Sequence, residues 1–370
     1  MDDLRQGPVD LLVRRDDLRD VKLVSAPDPD EIALDPGGVL LRIEKFGFTA
    51  NNITYATFGD AMRYWDFFPG PDGYGRVPVW GYAEVIRSSH DDIAVGERVF
   101  GYLPMSAYLV VHADKVTPAG FVDGSPHRAE LPAVYQRLVR LAGDPTHQPD
   151  LEDLQAIWRP LYMTSFGAAD FLADNGLYGA EAVVFSSASS KTALGTAFLL
   201  ARDRPSGCRV VGLTSQGNAE FCRTVGYYDD VVTYDNVETL PSGTRVVYVD
   251  LAGNPSLIER LRAHLGDDLK KVVLIGATQW EQVPSGGGLA GDAEFFFLPP
   301  WMEKRREEWG PREFGARYSD AWQAFLPSVK GWMGIVHAEG PTATEGAYRA
   351  VLEGKSAPDE GLILSLNAWR

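Results

Sequence analysis

Across the second half of the chain, short runs of purely apolar residues alternate with stretches of helical spacing. Ala182–Phe185 (AVVF) is one such run, the pattern of a strand buried on both faces. Ser186–Ser190 predict a turn, and the Ala and Leu residues from Lys191 onward predict a helix whose N-cap the Ser/Thr-rich turn supplies. Cys208–Ser215, Val231–Tyr234, Val246–Asp250 and Val272–Gly276 predict four more strands, with helices over Ala219–Val225 and Leu257–Leu265. Strands alternating with helices imply a parallel sheet with right-handed crossovers. In such sheets ligands bind at the carboxyl ends of the strands. Here those ends are Ser186–Ser190, Thr214–Ser215, Leu251–Gly253 and Gly276–Thr278, all small or polar apart from Leu251. This half reads as a nucleotide-binding domain.

The first half has a different rhythm. Val9–Val24 alternates charged and apolar residues and predicts edge strands, and Val39–Phe48 predicts a longer strand. Tyr64, Trp65, Phe67, Phe68 and Tyr74 crowd a segment broken by Pro69, Gly70, Pro71 and Gly73. That is loop chemistry carrying large apolar surfaces, either a satellite core or the wall of an apolar pocket. Val77–Arg87, Ala94–Tyr102, Ala107–His112 and Val116–Pro118 predict short strands of a small β-barrel. Leu131–Leu141 and Leu151–Trp158 predict helices in a long connection, the kind of segment that forms a lid or pocket wall.

Composition changes this picture little. A chain of 370 residues can bury two cores, and its net charge of −16, with no long basic run, speaks against nucleic acid or an anionic membrane as partner. No signal-peptide pattern follows Met1 and no apolar run is long enough to span a bilayer, so the expected location is cytoplasmic. Cys208 and Cys222 are the only cysteines, and packing is their expected role.

The Ser186–Thr192 turn is the principal candidate for chemistry. Strand, tight turn and helix N-terminus together favour an anion, because unpaired backbone N–H groups and the helix dipole converge there. Ser186, Ser187, Ala188, Ser189, Ser190 and Thr192 stand where dinucleotide sites use glycines, and Lys191 adds a positive charge. Ser190-Lys191-Thr192 has the ending of a P-loop without its glycines, which excludes that motif.

The succession GFTANN, VPVWGYAEV, VGERVFGY and AYLVVHADKVTP resembles the catalytic domain of the medium-chain dehydrogenase/reductase superfamily. Gly96–Gly101 (GERVFG) resembles that family's "GDRV" strand, and Thr164–Leu172 (TSFGAADFL) its linking helix. Val231–Tyr234 and Asp250–Gly253 fall where the family has its third strand and its "D-x-x-G" turn. The resemblance is nearest to the zinc-free quinone and enoyl reductases. It implies an α/β fold, a chaperonin-10-like β-barrel catalytic domain plus a Rossmann-type doubly wound parallel sheet. The expected domains are a barrel over 1–122, a helical insertion over 123–160, the Rossmann domain over 161–294 and a return to the catalytic domain over 295–370. Phe295–Trp309 is read as the start of that return.

The resemblance further implies that Thr164, Gly276, Ala277 and Thr278 lie near a nicotinamide, with Thr214, Ser215, Tyr234, Leu251 and Gly253 along the cofactor. The second strand ends in Thr214-Ser215-Gln216, without the acid that binds a ribose 2′-hydroxyl, so the expected cofactor is NADP(H). Gly81-Tyr82-Ala83-Glu84 replaces the Gly-His-Glu of the zinc enzymes, and no metal site is expected. Without a metal, reduction needs a proton donor or oxyanion clamp. Tyr55 and Tyr82 are the candidates, each alternatively a barrel-core tyrosine, with His127 and Tyr135 behind them. Asn52 is a candidate for orienting a substrate carbonyl. The expected reaction moves hydride to or from an activated C=C or C=O of an apolar or aromatic substrate. The partner expected from the resemblance is a second copy, joined edge to edge through Val272–Gly276. A lyase or isomerase on the same fold, and a non-catalytic NADPH-binding protein, remain open.

Overall fold

A computed structural model of the protein describes residues 7–204, 207–275 and 293–367. The chain divides into two compact units, Met1–Ile157 with Met333–Arg370, and Trp158–Trp332. Among the described residues no helix is long and apolar enough to cross a membrane.

The first unit begins with β1 (Val9–Arg14), β2 (Val21–Ser25) and β3 (Gly38–Phe48), followed by α1 (Ala50–Thr57). Then come β4 (Tyr74–Gly75), β5 (Pro78–Ser88), β6 (Arg98–Pro104), β7 (Tyr108–Thr117), β8 (Gly120–Asp123) and β9 (Arg137–Arg140). Strands β3, β5, β6, β9, β8 and β7 pair in that order, and β7 pairs back onto β3. The circuit is therefore a closed six-stranded barrel, which leaves its strands without open edges. Val39, Leu41, Ile43, Val79, Ala83, Val85, Val99 and Val111 pack in its core. Gly81 allows β5 to cross an irregularity in β3, since a Cβ there would lie 2.2 Å from the Lys45 carbonyl oxygen.

Thr49 and Asn52 form a capping box at the start of α1. The next connection differs from the sequence expectation. Leu131–Leu141 is not a helix: it holds a single 3-10 turn and then β9. β9 instead fills the gap between β6 and β8 that the barrel needs closed. Leu138 faces inward there and packs against Gly101.

Helix α2 (Glu152–Asp174) carries the chain into the second unit and merges the two short helices expected around Trp158 and Thr164. There follow β10 (Ala182–Phe185), α3 (Lys191–Asp203), β11 (Arg209–Thr214), α4 (Ala219–Val225), β12 (Asp230–Thr233), β13 (Val246–Asp250), α5 (Pro255–Leu265), β14 (Leu269–Ile275), β15 (Glu294–Phe296) and α6 (Leu298–Lys330). The sheet order is β12-β11-β10-β13-β14-β15, and every pairing is parallel. The order reverses beside β10, which makes the end of β10 the topological switch point where ligands bind.

One face of this sheet packs on α5 through Leu257, Leu261 and Leu265. On α2, α3 and α6, Trp158, Tyr162, Phe198, Trp322 and Phe325 form an aromatic layer, with Tyr162 and Phe325 stacked at 4.5 Å. Phe295 and Phe296, read above as the start of the return, instead lie in β15 beside β14. Strand β14 consequently has a neighbour on each side, so the expected edge-to-edge contact through Val272–Gly276 is not open to it. The chain ends with β16 (Gly334–Glu339), α7 (Pro341–Leu352) and β17 (Glu360–Ser365) in the first unit, where β17 pairs with the far end of β3.

Candidate functional site

In the second unit, the turn from β10 to α3 is built by residues that have different partners. Ser186 is fully buried, and its Oγ donates to Asp250 Oδ1 at 2.8 Å. The same oxygen accepts from Leu251 N and Ala252 N at 2.8 and 3.0 Å. One hydroxyl thus uses its proton and both lone pairs to tie the end of β10 to the turn after β13. Asp250 Oδ1 also accepts from the Tyr248 hydroxyl, and Asp250 Oδ2 from Gly253 N. Ser186, Leu251 and Gly253 therefore shape the turn pair.

Ser187 occupies the left-handed region at φ 47°, a conformation glycine adopts without strain and serine at a cost of about 1–2 kcal/mol. Its N–H donates to the Tyr234 hydroxyl at 2.8 Å, which places Tyr234 over the turn. Ala188 N donates to Leu213 O and Ser190 N to Ser187 O. The Ala188 methyl is buried against Gly212, where an added Cβ would lie 2.8 Å from it, so it points into the sheet and away from the turn's open side. Ser189 Oγ accepts from Asn218 Nδ2 at 3.0 Å, and Ser190 Oγ caps α3 by accepting from Ala193 N. Lys191 and Thr192 are the first two residues of α3, where no intrahelical carbonyl reaches the backbone N–H. The N–H groups of Ser187, Ala188 and Ser190 and the hydroxyls of Ser186, Ser189 and Ser190 thus have partners inside the unit.

The Lys191 ammonium lies 6.0 Å from the centre of the Trp158 ring. Thr192 O and the Ser165 hydroxyl bond at 3.0 Å, and Gly195 lets α2 approach α3 there. Thr164, one residue earlier on α2, is half-buried. Thr214 is buried at the end of β11 and Ser215 is exposed just beyond it. Gly276, Ala277 and Thr278 lie outside the described residues. Cys208 and Cys222 are free and buried, and burial pushes the Cys222 thiol up to about 11, so it stays protonated at neutral pH.

In the first unit the candidates separate. Asn52 is 4% exposed, with Oδ1 accepting from Thr49 N and Nδ2 donating to Pro78 O. Both ends of its amide are committed to seating α1 on β5. Tyr82 is fully buried and donates its hydroxyl proton to Glu152 O at 3.2 Å. Tyr55, one turn beyond Asn52, accepts from Trp80 Nε1 at 3.4 Å. Burial pushes its hydroxyl up to about 12. Tyr55 packs in a cluster with Tyr64, Phe67, Phe68, Tyr102 and Tyr135. Tyr64 and Tyr135 hydroxyls meet at 3.4 Å, while the buried Tyr102 hydroxyl has no hydrogen-bond partner. His127 is exposed, with Nε2 3.4 Å from Phe67 O. Sequence reading did not single out Trp80, Phe100 and Tyr102. The signal was the alternation of β5 and β6, which sets Trp80 opposite Tyr102 and Tyr82 opposite Phe100.

A closed barrel followed by a six-stranded parallel sheet with its switch point at β10 defines the two-domain fold of the medium-chain dehydrogenases/reductases. The chain belongs to the family described as "Protein of unknown function (DUF2855)", whose model matches residues 46–357. No curated protein matches the chain. Among solved structures, CurA from Vibrio vulnificus in complex with NADPH is similar at 14% identity and a TM-score of 0.58, over 94% of this chain and 95% of that one. The quinone oxidoreductase from Coxiella burnetii is similar at 13% identity and 0.55, over 96% and 98%. A mutant form of enoyl thioester reductase from Candida tropicalis is similar at 10% and 0.56, over 97% and 99%. At these identities the likeness carries the fold.

Proposed function

We propose that the protein is an NADP(H)-dependent, zinc-independent oxidoreductase that moves hydride to or from an activated C=C or C=O bond of a small apolar substrate. The observation that carries this reading is the β10–α3 turn, which sets the N-terminus of α3 at the switch point of a parallel sheet. A helix N-terminus there fits a diphosphate, and the Ala188 methyl is turned into the sheet. CurA, with the same fold, was solved with NADPH. No carboxylate ends β11, so a 2′-phosphate meets no repulsion there, and Lys191 supplies positive charge. The barrel segments that resemble the zinc enzymes contain no cysteine, and the two thiols lie in the other unit, which favours chemistry without zinc.

The nicotinamide, when bound, supplies or accepts the hydride. The chain's own contribution is to place a donor where negative charge develops on the substrate oxygen. Tyr55 fits that role better than Tyr82. Its oxygen accepts from Trp80 Nε1. The Tyr82 proton is already given to Glu152 O. Asn52 is then a positioning residue that holds α1, and Tyr55 with it.

Titration with NADPH and NADH, followed by tryptophan fluorescence, tests the nucleotide step. NADPH is expected to bind more tightly than NADH, and Lys191→Ala to weaken NADPH about tenfold. Failure of both nucleotides to bind removes the oxidoreductase reading. The same titration separates a non-catalytic binding protein, which would bind NADPH and turn over no enone or quinone. A lyase or isomerase would convert substrate without net NADPH consumption. For the homodimer, β15 is the strand to which the sheet offers a second copy, with Phe295 and Phe297 exposed beside each other. Light scattering is expected to give twice the chain mass, and Phe295→Lys with Phe297→Lys to halve it; a wild-type monomer would dismiss the pairing.

A further inference from the structure

Ser187 holds a backbone conformation that serine rarely adopts, at the end of β10 where the sheet order reverses. A residue in the left-handed region persists only where its surroundings over-determine it. Here four bonds around the Ser187–Ala188 peptide do so. Ser187 N donates to the Tyr234 hydroxyl at 2.8 Å, and Ser190 N donates to Ser187 O at 2.7 Å. Ala188 N donates to Leu213 O at 3.0 Å, and Ala188 O accepts from the Tyr228 hydroxyl at 2.8 Å. Two of the four are backbone bonds and two come from tyrosines. The Tyr234 bond is the one made to the left-handed residue's own N–H.

Tyr234 reaches the turn from a distance. It follows β12, which lies two places from β10 in the sheet, roughly 9–10 Å at the usual strand spacing. Its backbone oxygen accepts from Arg260 Nη1 at 3.0 Å, and Arg260 is itself paired with Glu238 through Nε and Nη2 at 2.8 and 2.7 Å. Its half-buried ring packs against the apolar cluster that includes Val237, Leu257 and Leu261. The hydroxyl therefore arrives over Ser187 already positioned. A phenylalanine in its place would keep the reach and lose the acceptor.

We propose that Tyr234 does for this turn what glycine does in dinucleotide-binding turns: it is a positioning residue that holds Ser187 left-handed, and so keeps the N-terminus of α3 where a diphosphate can bind. Glycine enters that conformation without strain, whereas serine enters it here because an acceptor waits for its N–H. Tyr234 acts through the Ser187 backbone, with its hydroxyl spent on that N–H. The inference rests on the nucleotide reading above and adds what sets the shape of the turn.

The test compares the wild type, Tyr234→Phe, Ser187→Gly and the double variant, each as the full chain and each shown by circular dichroism to fold. Without nucleotide, hydrogen exchange at the Ser187 amide, read by mass spectrometry, is expected to be about tenfold faster in Tyr234→Phe. Titration with NADPH is expected to show Tyr234→Phe binding about fivefold more weakly, the equivalent of one neutral hydrogen bond. Ser187→Gly is expected to bind within about twofold of the wild type, and in the double variant the loss disappears. A tyrosine that only packs in the core would cause a loss that Ser187→Gly leaves untouched. The proposal is overturned if Tyr234→Phe changes neither or only one of exchange and affinity, or if Ser187→Gly fails to restore binding. NADPH binding without this coupling removes the proposal alone, whereas a wild type that binds no NADPH removes the nucleotide reading and the proposal with it.

Discussion

Glu152→Ala lowers the stability of the first unit by about 3–5 kcal/mol, the range for removing one member of a buried charge network. Glu152 is 8% exposed, and its two oxygens serve two cations and an imidazole. Oε1 accepts from Arg98 Nη1 at 2.7 Å and lies 2.9 Å from His147 Nε2, while Oε2 accepts from Arg98 Nη2 at 3.0 Å and lies 3.1 Å from Lys45 Nζ. Lys45 is on β3, Arg98 on β6 and Glu152 at the start of α2, so one carboxylate joins two barrel strands to a helix. An alanine there leaves Lys45 paired with Asp153 and Arg98 with Glu44.

Burial alone would raise the Glu152 carboxyl, but hydrogen bonds from Arg98, His147 and Lys45 outweigh it and hold it at about 2, below the unfolded value of 4.5. A carboxyl depressed on folding stabilises above its unfolded pKa and loses that contribution as pH falls through the folded one. Allowing for solvent screening, the wild type gives up about 2 kcal/mol from this group between pH 4.5 and 2. Urea denaturation of both proteins at pH 7 and pH 3 checks it. A loss below about 1 kcal/mol at pH 7, or an acid limb equally steep in the variant, would contradict this account of the network.

Tyr55→Phe is expected to reduce turnover of an enone or quinone about 100-fold, the lower range for loss of a positioned acid, with KM nearly unchanged. The variant keeps the ring and its contacts with Tyr64 and Tyr102, so packing is preserved. Tyr82→Phe is the contrast: it removes a bond to Glu152 O, with about 1 kcal/mol of stability and little turnover at stake. Because burial holds the Tyr55 hydroxyl near 12, this acid stays protonated at neutral and mildly alkaline pH, and turnover shows no alkaline loss from it below about pH 10. Steady-state kinetics of the two variants side by side decide the matter. Equal losses in both, or none in Tyr55→Phe, would remove Tyr55 from the reaction.

The parallel sheet was legible because strands buried on both faces leave nothing but apolar residues, as Ala182–Phe185 and Val246–Tyr248 do. Its turn was legible as a location and not as a mechanism. Ser186 looks like a phosphate ligand in sequence, yet its hydroxyl is taken by Asp250, 64 residues away. The left-handed turn at Ser187 has no local signal, since serine there runs against its own preference. Strand β9 was missed because Leu138 and Val139 pair only with strands distant in sequence, a tertiary demand that overrides local helical spacing. Tyr82 and Asn52 lie where the family resemblance implies a site, but only coordinates reveal that the polar atoms of both are already bonded.

The division of the chain also sets an order of assembly during synthesis. Trp158–Trp332 is one continuous stretch and can collapse as soon as it leaves the ribosome. The first unit has to wait, because Phe46 and Phe48 on β3 find their partners Leu364 and Leu362 only after the whole intervening unit has been made. Until then the nascent barrel exposes an unpaired, apolar strand end, the kind of surface that holding chaperones bind.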